Sequence, residues 1–211
     1  MKLIDCSGAE FSGQLASHSP TPGGGAASAM IGSYGAALCA MVAQFTIGRE
    51  KYAAHDALMR DTLTRVNELR NEFLTAVDAD TDAYNIVGEV FSMPKSTPDE
   101  KEARKQAMQK ALAEAAAVPY GVMELSLKAL ELTKNLVGIS NKNVASDLGV
   151  AAVSLRAALC GAWLNVRTNL SGIKDEAFTE EYRTRGEALF NKAVKIADEI
   201  YDEIYIISGG K

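Results

Sequence analysis

"SPTPGGGAASAMIG", Ser19–Gly32, decides the fold of this chain. Two prolines close in on three consecutive glycines, and no residue from Gly23 to Gly48 carries a charge. A neutral run of that length could cross a bilayer. Its composition argues otherwise: it holds six glycines, two serines, Gln44 and Thr46, and much of the rest is alanine, which favours insertion weakly. Small residues recur at helical spacing (Ala29, Ser33, Ala36, Ala40), so a second helix can approach closely. In a soluble protein, a helix neutral on all sides is predicted to be buried on all sides, at the centre of a bundle or of a dimer interface.

Outward from this run, every segment reads as helix. "CSGAEFSGQLAS" suggests a short one before the glycines. From about Lys51 to Phe91 a charged amphipathic pattern carries the stripe Val66, Leu69, Phe73, Val77, Asp80, Tyr84, Val87, Phe91 in steps of three or four. Thr97, Pro98 and Glu100 form a capping box with proline at the first helical position, predicting a helix from Pro98 to about Val137, kinked at Pro119. "GISNKNVASDLG" breaks the pattern, and a helix follows from Ser146 or Asp147 to Leu170. The last runs from about Thr179 to Ile207. No stretch alternates as a strand would, and no linker divides the chain. The expectation is one all-α domain over residues 1–211, a bundle of about six helices around a small-residue helix.

Composition narrows the function. The 211 residues are 47% hydrophobic with a formal net charge of −5, and no long basic cluster marks a nucleic-acid binder. The three cysteines include no C-x-x-C motif, and only His18 and His55 are available, so no metal site is expected. Cys39 and Cys160 lie in apolar helical tracts and read as buried free thiols of a reducing compartment. The first ten residues lack an apolar core of signal-peptide length, so a cytoplasmic location is expected.

Four features could carry chemistry. The glycine run is neither a Walker A loop nor a dinucleotide fingerprint. Glycines at a helix start let a ligand or another backbone come close, and the free N–H groups there favour negative charge; a plain tight turn explains them as well. Asp80 is a carboxylate on an apolar stripe, whose burial would raise its pKa toward the range useful for proton transfer, unless it belongs to a structural ion pair. Arg156 interrupts a nearly uncharged helix and could partner Asp80, hold a substrate carboxylate, or simply snorkel. Asn141, Asn143, Ser146 and Asp147 cluster at a helix start, where capping explains one of them and recognition of a heterocycle could explain the set. Lys95, Arg49 and Lys51, taken alone, read as solvated cations.

Five ordered segments resemble one family, the cyclodeaminase/cyclohydrolase family of folate enzymes: "TPGGGAASAMIGSYGAALCAMV", "GREKY", "DADTDAYNIVGEVFSMPK", "VPYGVMELS" and "SDLGVAAVSLRAALCGAWLNVRTNL". The resemblance implies an all-helical homodimer acting on tetrahydrofolate that carries a formimino or methenyl group, without metal, cofactor, membrane or nucleic-acid partner. It places Gly23, Gly24 and Gly25 in the family's glycine loop at the folate site. Asp80 and Lys95 match its acidic position and the lysine of its M-P-K segment, and Asp147 matches its S-D-x-G aspartate. Asn143 is a weaker match, and Tyr84 stands where phenylalanine is common.

The expected activity is hydrolysis of 5,10-methenyltetrahydrofolate to 10-formyltetrahydrofolate. Asp80 would be base or proton shuttle and Lys95 its charge partner or donor. Asn143 and Asp147 would orient the pterin or the reacting nitrogen, and Arg49, Lys51 or Arg156 would meet the glutamate carboxylates. The alternatives are formiminotetrahydrofolate cyclodeamination with loss of ammonia, and a helical dimer that binds folate without turning it over.

Overall fold

The neutral run forms the second of six α-helices in the computed structural model, which describes residues 2–209 and contains no strand among them. This helix, α2 (Gly24–Thr46), lies between α3 (Asp56–Phe91) and α5 (Ala145–Leu170), while α1 (Gly8–Leu15), α4 (Pro98–Lys134) and α6 (Glu176–Ile207) complete the bundle. The missing side chains on α2 explain its central place. The ring of Phe73 fills the space where Gly32 would otherwise carry a Cβ, and on the opposite side a Cβ at Gly35 would come within 2.7 Å of Leu155 Cγ. Gly25 faces Asp80 and Gly32 faces Phe73; Gly24 faces Asn165 and Gly35 faces Leu155. Numbers rise on α2 as they fall on each neighbour, so α3 and α5 both run antiparallel to it.

The small-residue stripe is core as expected: Ala29, Ser33, Ala36 and Ala40 are all buried. The expectation that α2 is covered on every side fails within one protomer. Tyr34 is 53% exposed and Phe45 49%, and on the neighbouring α5 Val153 and Leu164 are 50% and 64% exposed. The packing on α2 comes mainly from α3 and α5, with less from α4, which leaves one side of it uncovered. Both α2 and the segment Lys142–Leu170 are long and apolar enough to cross a membrane by composition alone, yet most of α2 is buried inside the bundle.

The helix boundaries follow local chemistry. α3 starts at Asp56, not near Lys51, because Gly48 turns the chain at φ +73° and residues Glu50–His55 form a tighter 3-10 helix. The Asp56 carboxylate then accepts from the Gly48 N–H at 2.8 Å and from Arg60 Nε at 2.7 Å. The capping box at α4 is present as read: Thr97 Oγ1 accepts from the Glu100 N–H, and Glu100 Oε2 accepts from the Thr97 N–H. Pro119 does not break α4. It has no N–H to offer the carbonyl of Ala115, and Asn169 of α5 donates its amide to that oxygen instead, at 2.8 Å.

α5 starts at Ala145 without a side-chain cap, so Ser146 and Asp147 sit inside its first turn. The polar cluster before it has a structural use. Asn141 is buried; its backbone N–H donates to Thr46 Oγ1 and its side chain to the Phe45 carbonyl, both at 3.0 Å, tying off the C-terminal end of α2. α6 begins at Glu176, capped by Asp175, three residues before the predicted Thr179. Burial lifts the Cys39 thiol to about 11, which makes it inert near neutrality. Cys160 is only half-buried, contrary to its expected burial, because it lies at the edge of the α5–α6 seam, where Arg156 and Asp198 open a surface groove.

Candidate active site

Asp80 marks the place where the α3 stripe stops being core. Val66, Leu69, Phe73 and Val77 are buried, but beyond Asp80 the buried positions shift to Ala83 and Val90, leaving Tyr84 and Phe91 exposed. The expected stripe from Asp80 to Phe91 is therefore corrected: Tyr84 and Val87 are walls of a cavity of about 300 Å³, not core. The cavity floor is Asp80 with Ala83. Gly23, Gly24 and Gly25 line it with Pro20 and Thr21, as do Leu112 and Ala115 of α4 and Asn165 and Asn169 of α5.

The space for the carboxylate is made by one glycine. A Cβ on Gly25 would overlap the Asp80 carboxyl group; on Gly24 it would only touch the Asn165 amide at 3.4 Å, and on Gly23 it would meet nothing nearer than 3.9 Å. None of the three has a positive φ, so room, not backbone conformation, demands glycine at position 25. The carboxylate meets the start of α2, accepting from the Ala26 N–H at 2.9 Å, while the amides of Gly24 and Gly25 have no acceptor among the described residues. Burial pushes the Asp80 pKa above the ordinary aspartate value, and the Ala26 N–H partly offsets that rise. Replacing Gly25 with Ala is expected to displace the carboxylate, costing about 1–3 kcal/mol of stability and most of the activity. Gly23→Ala, with open space before it, is expected to cost less than about 1 kcal/mol; thermal melts and initial rates of the two variants make the comparison.

The asparagines are the residues that sequence reasoning missed. Asn165 Nδ2 donates to the Gly161 carbonyl and Asn169 Nδ2 to the Ala115 carbonyl, both at 2.8 Å, which leaves the two side-chain oxygens as acceptors at the cavity. They are one helical turn apart in "WLNVRTNL", on the same face, and that spacing was the available signal. With Asp80 they make an acceptor-rich, anionic pocket, and no lysine or arginine lines it.

Of the expected site residues, the structure brings together Asp80 with Gly23, Gly24 and Gly25, and places the others elsewhere in the protomer. Lys95 lies beyond the C-terminal end of α3 and lines a different cavity, because Ser92–Pro94 carry it away from the helix face. Arg156 is 3.3 Å from Asp198 of α6 at the surface, so it partners neither Asp80 nor that cavity. Asp147 is eighteen residues before Asn165 on the same helix, about 27 Å along its axis, and Asn143 precedes that helix. Arg49 and Lys51 follow the far end of α2, about 35 Å from Gly24, and the Lys51 ammonium sits over the Tyr52 ring. Among the described residues no group of three His, Cys, Asp or Glu side chains is placed to hold a metal ion.

An all-α bundle whose glycine-headed central helix presents its N-terminus to a half-buried carboxylate defines the class. The formiminotransferase-cyclodeaminase family model matches residues 7–188. A methenyltetrahydrofolate cyclohydrolase of Methylorubrum extorquens is 37% identical over 190 residues, covering 90% of this chain and 91% of that protein. The formimidoyltransferase-cyclodeaminase of Rattus norvegicus is 34% identical over 191 residues, and the match spans 90% of this chain but only 35% of that longer protein. The crystal structure of a formiminotetrahydrofolate cyclodeaminase from Thermotoga maritima superimposes with a TM-score of 0.81 at 28% identity, covering 98% of this chain and 97% of that one. This chain belongs to the formiminotransferase-cyclodeaminase family.

Proposed function

We propose that the protein hydrolyses 5,10-methenyltetrahydrofolate to 10-formyltetrahydrofolate, with Asp80 as the group that moves protons. The observation that carries this reading is the pocket itself, where one half-buried carboxylate and two amide oxygens face a space bordered by bare backbone. The methenyl carbon shares a positive charge with its two nitrogens, and an anionic pocket without lysine or arginine suits a cation. Water adds to that carbon as Asp80 takes one of its protons. The carbon–nitrogen bond on the pterin side then breaks, and that nitrogen receives a proton back from Asp80. The formyl group stays on the other nitrogen, and one proton is released overall. The raised pKa keeps Asp80 basic enough for the first step and acidic enough for the second.

The Thermotoga maritima structure favours a second reading, formiminotetrahydrofolate cyclodeamination. There a folate nitrogen attacks the formimino carbon, ammonia leaves, and the same carboxylate handles the proton. Offering the purified protein both substrates side by side separates the readings. Loss of methenyl absorbance is the expected outcome; ammonia release without it would favour the cyclodeaminase, and folate binding with neither would sink both. A non-catalytic binder held by an Asp80–Arg156 ion pair loses its support, since Arg156 is paired with Asp198.

The working unit is proposed to be a homodimer joined through the open faces of α2 and α5. Tyr34, Phe45, Val150, Val153 and Leu164 form a largely apolar surface on two adjacent helices, which is what a partner copy would cover.

A further inference from the structure

Pro119 stands inside α4, a helix of 37 residues that continues on both sides of it. A proline there removes one backbone donor, and its ring crowds the carbonyl four residues earlier. That carbonyl belongs to Ala115, which is buried and lines the Asp80 cavity. A buried carbonyl without a donor destabilises the fold, so another group must replace the missing N–H. The replacement comes from a side chain of the cavity itself: Asn169 Nδ2 donates to the Ala115 oxygen at 2.8 Å.

An asparagine amide carries a donor and an acceptor of nearly the same shape, and its neighbours decide which end points where. A carbonyl oxygen only accepts, so the Ala115 oxygen draws the nitrogen of Asn169 and leaves the amide oxygen turned away from α4. No described residue donates to that oxygen, and Asn169 borders the cavity. With any other residue at position 119, a helix N–H would hold the Ala115 oxygen, and Asn169 could present either end to the cavity. Asn165, one turn earlier, is set differently. It donates to Gly161 of its own helix at 2.8 Å and needs nothing from α4. Nor is Asn169 required to tie α4 to the end of α5. Gln109 already does so, donating to the Gly172 carbonyl at 3.1 Å and accepting from the Lys174 N–H at 2.6 Å.

We propose that Pro119 is a positioning residue: by leaving the Ala115 carbonyl without a helix donor, it fixes the Asn169 oxygen toward the cavity, where that oxygen accepts from an N–H of the substrate's ring. This rests on the folate reading above, because a pterin carries several N–H donors. Pro119 itself does not line the cavity, so it acts only through Asn169. The unfavourable proline is kept because it gives a pocket side chain one orientation.

The test is a double-mutant cycle on Pro119→Ala and Asn169→Ala, read by steady-state kinetics on methenyltetrahydrofolate and by thermal melts. Asn169→Ala is expected to raise KM at least about fivefold, the loss of one hydrogen bond. Pro119→Ala is expected to raise KM at least about threefold, with kcat within about twofold of wild type. The double variant should bind no worse than Asn169→Ala alone. KM effects that multiply, or a Pro119→Ala variant with the KM of wild type, would overturn the proposal. The melts read the link without substrate. Asn169→Ala orphans the Ala115 carbonyl, and the N–H added by Pro119→Ala gives it a donor again. Asn169→Ala should therefore lower the melting temperature by at least about 2 °C more in the wild-type background than in the Pro119→Ala background. Equal losses remove the link. If Asn169→Ala does not fold, Asn169→Ser takes its place in the cycle. If methenyltetrahydrofolate is not turned over, the hydrolase reading fails, and equilibrium dialysis of that compound decides the proposal: weaker binding to Pro119→Ala supports it, and unchanged binding removes it.

Discussion

Asp80→Asn is expected to lower kcat for methenyltetrahydrofolate hydrolysis by at least about a hundredfold, the range that a positioned proton-transfer group supplies. The substitution is chosen to leave the architecture alone. An asparagine oxygen can still accept the Ala26 N–H that Asp80 accepts at 2.9 Å, and the amide is close in size to the carboxylate that sits opposite Gly25. Stability supplies the control, and its sign is set by the direction of the pKa shift. Burial raises the folded pKa of Asp80 above its unfolded value. The folded state therefore binds this proton more tightly, and the associated stability is fully present below the unfolded pKa. It is lost as pH rises through the folded pKa. At neutral pH the ionised carboxylate is a cost to the fold, so the Asn variant is expected to melt at the same temperature as wild type or higher near pH 7. That advantage should disappear on acidification toward the ordinary aspartate range. A kcat within a few-fold of wild type would remove Asp80 as the proton carrier. A lower melting temperature at pH 7 would show instead that its charge is structurally paired.

What could be read in the sequence and what could not divides by the range of the interaction. The Thr97–Glu100 capping box, the proline that starts α4 and the helical spacing of Ala29, Ser33, Ala36 and Ala40 are local, and each appears where it was expected. Asp80 was visible because a charge interrupts a periodic stripe, and its cavity does adjoin the triple glycine. The reason for glycine at position 25 was not visible, since it depends on a carboxylate fifty-five residues away. Asn165 and Asn169 were hidden for a similar reason. Arg156 stands out as a charge interrupting α5, whereas the two amides acquire meaning only once α4 and α2 are packed beside them. Lys95 shows the opposite failure. Its match to a family motif makes it a candidate partner of Asp80, but the turn between α3 and α4 delivers it to a separate cavity of the same protomer.

Phe73→Ala is expected to cost about 3–5 kcal/mol, the range for removing a fully buried aromatic ring. For a chain of this size, each kilocalorie lowers the melting temperature by about 2–4 °C, so the transition should fall by roughly 6–20 °C. Phe73 has no exposed surface, and its ring fills the notch at Gly32. The same seam repeats seven residues on, where Asp80 fills the notch at Gly25. One heptad therefore sets both a core contact and the site: the ring fixes the spacing of α2 and α3, and the carboxylate uses it. Gly32→Ala alone should overpack the seam and cost about 1–3 kcal/mol. In the Phe73→Ala background the added methyl group enters space the ring has vacated, so its cost should largely vanish. A double-mutant cycle by chemical denaturation is expected to show a coupling of at least about 1 kcal/mol, whereas additivity within about 0.5 kcal/mol would mean the two residues do not set the helix spacing together. Activity gives an independent check. Loosening the seam two turns from Asp80 should reduce kcat less than Asp80→Asn does, and restoring bulk with Phe73→Leu should recover part of both losses.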